Sequence, residues 1–262
     1  RFDCAGVLDS GMLRSLPPQL LHLDVSLADA VRITGDGLLP SLTSLDVGYT
    51  DILQVDAFLP KLRSLMLEDG KTAQLVGKQL QLPRLTWLDV GWLEGEVDLQ
   101  RTPALRGLHI GGRALAPGLA ALSRLTDLAF DCIMPEDLAA TVEMLQQAPT
   151  TVRQLELSSL EVYLPQQRAE MAEQLGPALV RLTRLTHFVS DLTAFLPYLA
   201  RLRKLRCLEL KSISAATLTI EDADFLASMK GLLKLTFGRG MPRGDLRDRR
   251  LQVRLFLAGL YC

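Results

Sequence analysis

His22, His109 and His187 are the histidines of this chain, and they are scattered along it with no partner motif beside them. No GxSxG, phosphate-binding glycine loop, HExxH or dinucleotide fingerprint accompanies them, so nucleophilic, nucleotide and metal-hydrolytic chemistry find no support. Cys4, Cys132, Cys207 and Cys262 stand far apart, with no CxxC pair. That spacing argues against a structural zinc site and a dense disulfide framework, and it fits a reducing compartment. The chain is therefore expected to be no enzyme and to need no cofactor. What is left is recognition chemistry. Asp24, Asp46, Asp89, Glu156 and Glu209 all occupy one position of a recurring six-residue phrase, and Trp87 sits two residues before Asp89. A large aromatic among carboxylates suits a protein partner with a basic patch. The alternative is that the carboxylates keep an open sheet soluble and unpaired.

The phrase is apolar at its first, fourth and sixth positions. It reads LLHLDV (20–25), LTSLDV (42–47), LRSLML (62–67), LTWLDV (85–90), LRGLHI (105–110) and LTDLAF (125–130). It continues as VRQLEL (152–157), LTHFVS (185–190), LRCLEL (205–210) and LLKLTF (232–237), the eighth copy departing from the pattern with Ser190 in its last slot. Successive copies start mostly 20 to 23 residues apart, with longer steps between the later ones. Side chains alternate along a strand, so Leu42, Leu45 and Val47 should point inward while Ser44 and Asp46 point outward. One such strand cannot bury its apolar face alone; stacked copies can.

A hexamer of this pattern at this period resembles the leucine-rich repeat superfamily. The resemblance implies an α/β fold: a solenoid with a parallel concave sheet of about ten strands, an irregular convex side N-terminally and helices C-terminally. Prolines precede the early strands at Pro18, Pro40, Pro60, Pro83 and Pro103, and the early connections are too short for a full helix. The later ones carry helix signals. MPEDLAATVEMLQQ (134–147) has an early proline and acidic first turn, PQQRAEMAEQLGPALVRL (165–182) has apolar residues at helical spacing, and IEDADFLASMKG (220–231) ends in glycine. Helices are thus expected at 135–147, 166–181 and 221–230, in the manner of ribonuclease-inhibitor-like repeats. Asparagine is absent from the sequence, so the asparagine ladder of many such repeats cannot form and neither can an N-glycosylation site. The repeats span residues 16–240, residues 241–262 form a C-terminal cap or degraded repeat, and residues 1–262 are expected to make a single domain of a longer protein.

The net charge of −1 gives no bulk steering toward nucleic acid, and no run of 18 apolar residues suggests a membrane span. The chain is expected to be an intracellular, cytoplasmic protein-interaction scaffold, alone or as one subunit of a larger assembly. Fold analogy alone offers two alternatives: the substrate-recognition subunit of an F-box-type ubiquitin ligase, and a receptor ectodomain. The expected partner surface is the outward face at Asp46, Met66, Trp87, Asp89, His109, Glu156 and Glu209. A second candidate is the basic run carrying Arg239, Arg243, Arg247, Arg250 and Arg254. The second hexamer position alternates threonine and arginine from Thr43 to Arg206 and is expected to be a solvated edge.

Overall fold

Alternation inside the hexamer makes every copy a strand. A computed structural model describes residues 2–3, 7–26, 28–35, 39–48, 50–67, 70–75, 81–115, 118–131, 133, 135–158, 165–211 and 218–237. The chain divides into two compact units, Arg1–Ala140 and Thr141–Cys262. The first contains β1 (Phe2–Asp3), β2 (Val7–Leu8), α1 (Ser10–Arg14), β3 (His22–Ser26), β4 (Ala28–Gly35), β5 (Ser44–Val47) and β6 (Thr50–Ala57). It continues with β7 (Ser64–Leu67), β8 (Gly70–Leu75), β9 (Trp87–Val97), β10 (Gly107–Leu115) and β11 (Asp127–Asp131). Helix α2 (Leu138–Gln147) starts at its end and runs on into the second unit, which holds β12 (Gln154–Leu157), α3 (Pro165–Arg181) and β13 (His187–Ser190). Then follow α4 (Leu196–Leu199), β14 (Cys207–Leu210), α5 (Ile220–Ser228) and β15 (Lys234–Phe237).

In the first unit the hexamer strands β3, β5, β7, β9, β10 and β11 pair in that order, all parallel. Leu23, Leu45, Leu65, Leu88, Leu108 and Leu128 fall into one register column, and none is more than 6% exposed. Each such leucine contributes roughly 1.5–3 kcal/mol by leaving water. The segments that follow the early hexamers are themselves largely extended. Strands β4, β6 and β8 and the second halves of β9 and β10 pair as a further parallel ladder. The reason lies in their own alternation: Val31 and Ile33, then Leu53, Val55 and Ala57, fall on every second position and are buried.

The prolines have a specific place. Leu42, Leu62, Leu85 and Leu105 each donate a backbone N–H to the carbonyl three residues earlier, closing a turn whose second residue is Pro40, Pro60, Pro83 or Pro103. Proline's fixed φ suits that position and its missing N–H is not needed there. The threonines of the second hexamer column are also explained. The Arg63 carbonyl accepts the N–H of Thr86 and of Trp87 and then the Thr86 hydroxyl at 3.0 Å. Thr43 Oγ1 donates to Leu21 O in the same way, Thr126 Oγ1 to Arg106 O and Thr186 Oγ1 to Arg153 O.

In the second unit β12, β13, β14 and β15 pair in parallel without a register shift. Helices appear where the sequence predicts them, at 138–147, 165–181 and 220–228, with short α4 in addition. Thr219 caps α5 through a reciprocal box with Asp222. That helix ends at Ser228, and Gly231 lies instead in the turn that Leu232 N closes on Met229 O. Along α3, Met171, Ala172, Leu175, Ala178 and Leu179 are buried. Gly176 on this helix leaves room for the Tyr198 ring of α4, where a Cβ would sit 2.4 Å from it. Ser190, in the last slot of the imperfect hexamer, is fully buried, and its hydroxyl accepts the Leu192 N–H at 3.2 Å. No described helix is long and apolar enough to cross a membrane.

Candidate functional site

The outward face of the first unit's hexamer ladder carries two columns of side chains. The fifth hexamer position runs Asp24, Asp46, Met66, Asp89, His109, Ala129 across adjacent strands. The third runs His22, Ser44, Ser64, Trp87, Gly107, Asp127. Five of the sequence-predicted residues therefore come side by side: Asp46, Met66, Trp87, Asp89 and His109. Trp87 is 41% exposed, among the largest apolar side chains left open to water in the described part of the chain. The other four are half-buried.

Two contacts fix this surface. His109 Nδ1 lies 2.9 Å from Asp89 Oδ1, an ion pair when the imidazole is protonated. The Trp87 ring lies over Gly107, whose absent side chain makes the space: a Cβ there would come within 2.1 Å of the indole. Gly107 is thus part of the site, as the seat of the tryptophan. Its signal was present in the sequence, since Gly107 follows Trp87 by one repeat of 20 residues. The result is an exposed aromatic platform beside Asp89, with Asp46 and the Met66 thioether on the neighbouring strands.

Glu156 and Glu209 belong to the second unit and form a separate cluster. They flank Val189 in the register of β12, β13 and β14. Lys211 Nζ donates to Glu156 Oε1 at 2.5 Å. Burial pulls the Lys211 ammonium down, but its bond to Glu156 and the charges of Glu156, Glu209 and Asp191 outweigh this and hold its pKa above the ordinary lysine value. A cation whose pKa is raised by folding adds stability below the unfolded pKa of about 10.4, and loses it as pH climbs through the higher folded value. Lys211 is 41% exposed, so solvent screening keeps the contribution below about 1 kcal/mol. Denaturation midpoints of the parent should therefore fall slightly more steeply above pH 10.4 than those of Glu156→Gln. Equal slopes would show that the pair is not coupled to folding.

The basic run with Arg239, Arg243, Arg247, Arg250 and Arg254 lies outside the described residues. Among the described residues, no three His, Cys, Asp or Glu side chains come together in a way that could hold a metal ion.

Ten hexamers, six in one unit and four in the other, thus lie on parallel strands in register, nine of them with leucine at the fourth position. The repeat resembles that of leucine-rich repeat proteins. No family model matches the chain, and no curated protein does. Among solved structures it is similar to the leucine-rich repeat-containing protein LegL7 from Legionella pneumophila, with 13% identity over 98% of each chain and a TM-score of 0.44. The resemblance to leucine-rich repeats rests on the chain's own hexamers and their register.

Proposed function

We propose that this chain is a protein-interaction scaffold that holds a basic segment of a partner protein on the outward face of its first unit, around Trp87. The observation that carries this is the seating of Trp87 on Gly107. A large aromatic is seated on the face away from the core, over a glycine where a side chain would clash, in the column beside the one that holds Asp46, Met66 and Asp89. Aromatic anchors with restricted motion, surrounded by polar groups, dominate the energetics of protein interfaces. Asp46 and Asp89 add electrostatic complementarity to lysine or arginine, which speeds association and weakens as salt is added. Met66, between them, adapts its shape to an apolar side chain.

The test compares proteins retained by the intact chain and by Trp87→Ala, followed by calorimetric titration of whatever the variant loses. A loss of about 2 kcal/mol, or roughly thirtyfold in Kd, is expected for Trp87→Ala. Asp89→Lys should weaken binding further at low salt than at high salt. Unchanged circular dichroism keeps the result a binding effect. Normal binding by Trp87→Ala would move the site elsewhere.

A further inference from the structure

The balanced net charge hides a one-sided distribution in the second unit. Its four hexamer strands are each preceded by a turn of the same construction. Val152, Leu185, Leu205 and Leu232 donate their N–H to the carbonyl three residues back. The strands that follow pair without a register shift, so the four turns line up along the N-terminal edge of the ladder. The backbone continues this alignment at the second hexamer position, where Thr186 N bonds Arg153 O, Arg206 N bonds Thr186 O and Leu233 N bonds Arg206 O. The segments forming this edge are residues 148–153, 181–186, 200–206 and 229–234. They contain nine lysines and arginines and not one aspartate or glutamate. All nine are exposed. Arg184, Arg203, Lys204 and Lys230 stand at the turns themselves, and none of these four forms an ion pair with another described residue.

We propose that this edge is a docking surface for an anionic lipid bilayer. Three observations select that occupant. Arg184, Arg203, Lys204 and Lys230 are exposed on a row of aligned turns, an arrangement that suits a plane better than a single strand. The four segments hold no aromatic residue, so the edge lacks the aromatic platforms on which single-stranded bases chiefly stack. Between Lys230 and Lys234 stands Leu233, 79% exposed, the most exposed of the large apolar side chains described. An aliphatic group among cations is what an interfacial region buries while the cations engage lipid phosphates. Arginine, six of the nine, adds bidentate hydrogen bonding to phosphate. The surface is independent of the Trp87 face, so the two readings fail separately.

The experiment is vesicle co-sedimentation of the full chain at about 0.15 M salt. Phosphatidylcholine vesicles are compared with the same vesicles doped with phosphatidylserine. Binding is expected only to the doped ones, and to fall on raising salt. Each cation near an anionic surface is worth about fivefold in partitioning, so Arg203→Glu with Lys204→Glu should lower binding by about 25-fold or more. Arg14→Glu with Arg32→Glu makes the same change in net charge on exposed residues of the first unit, and should alter it less than about twofold. Leu233→Ser should weaken binding to doped vesicles severalfold, and Trp87→Ala should leave it intact. Absence of binding to doped vesicles, or equal loss in both charge-reversal pairs, overturns the proposal. So does tighter capture of a single-stranded RNA or of polyglutamate than of the vesicles, each of which would assign the edge to a different polyanion.

Discussion

Leu88→Ala is expected to destabilise the first unit by about 3–5 kcal/mol, the upper part of the range for a buried leucine. Leu88 has no exposed surface. Its register neighbours, Leu65 on one side and Leu108 on the other, are held by parallel backbone ladders and cannot move in to fill the space. The second ladder of this unit is as tightly packed, with Val55 and Ile33 fully buried. A cavity that cannot collapse costs both the lost transfer energy and the lost contacts of its lining. The adjacent change Trp87→Ala makes the contrast. That side chain is on the water side of the same strand, and its loss should cost less than about 1.5 kcal/mol. Urea titrations followed by circular dichroism measure both. A loss below about 1 kcal/mol for Leu88→Ala would mean that the ladder is not the main source of stability.

The leucine columns, the outward direction of Trp87 and the onset of helices after residue 134 were all legible, because each depends on local spacing. Other features were less so. The second ladder of the first unit has its own period of two in Leu53, Val55 and Ala57, but short runs of this kind lie between turns and do not announce a partner strand. The threonine–arginine alternation was visible as a pattern and silent as to cause. Only the register shows that each threonine hydroxyl reaches the carbonyl of the preceding repeat. The Lys211–Glu156 bond joins residues 55 apart and depends on a lysine just beyond one hexamer reaching back two strands. The cationic edge was hidden for a different reason. Its residues are spread over four segments, each unremarkable alone, and the balancing carboxylates elsewhere bring the net charge to −1.

The eighth hexamer shows how one irregular copy is accommodated, and it carries the second large expected effect. Its last slot holds Ser190, where other copies place valine, isoleucine, leucine or phenylalanine, and its fourth holds Phe188 in place of leucine. Both are buried, and Phe188 meets Phe195 edge to face with ring centroids 5.8 Å apart. Phe188 and Ser190 lie two residues apart on the inward face, and the serine hydroxyl accepts the Leu192 N–H where the chain turns toward α4. Phe188→Ala should therefore cost about 3–5 kcal/mol. Phe188→Leu restores the residue common to the other copies, yet it should still cost about 1–2 kcal/mol, because the ring contact is lost. Adding Ser190→Val to Phe188→Leu rebuilds the regular hexamer but removes the acceptor for Leu192, whose buried N–H then goes unpaired at a cost of about 1–3 kcal/mol. The double variant is thus expected to be no more stable than Phe188→Leu alone. Urea midpoints for the three variants decide this: a double variant as stable as the parent would show that the regular hexamer fits this position.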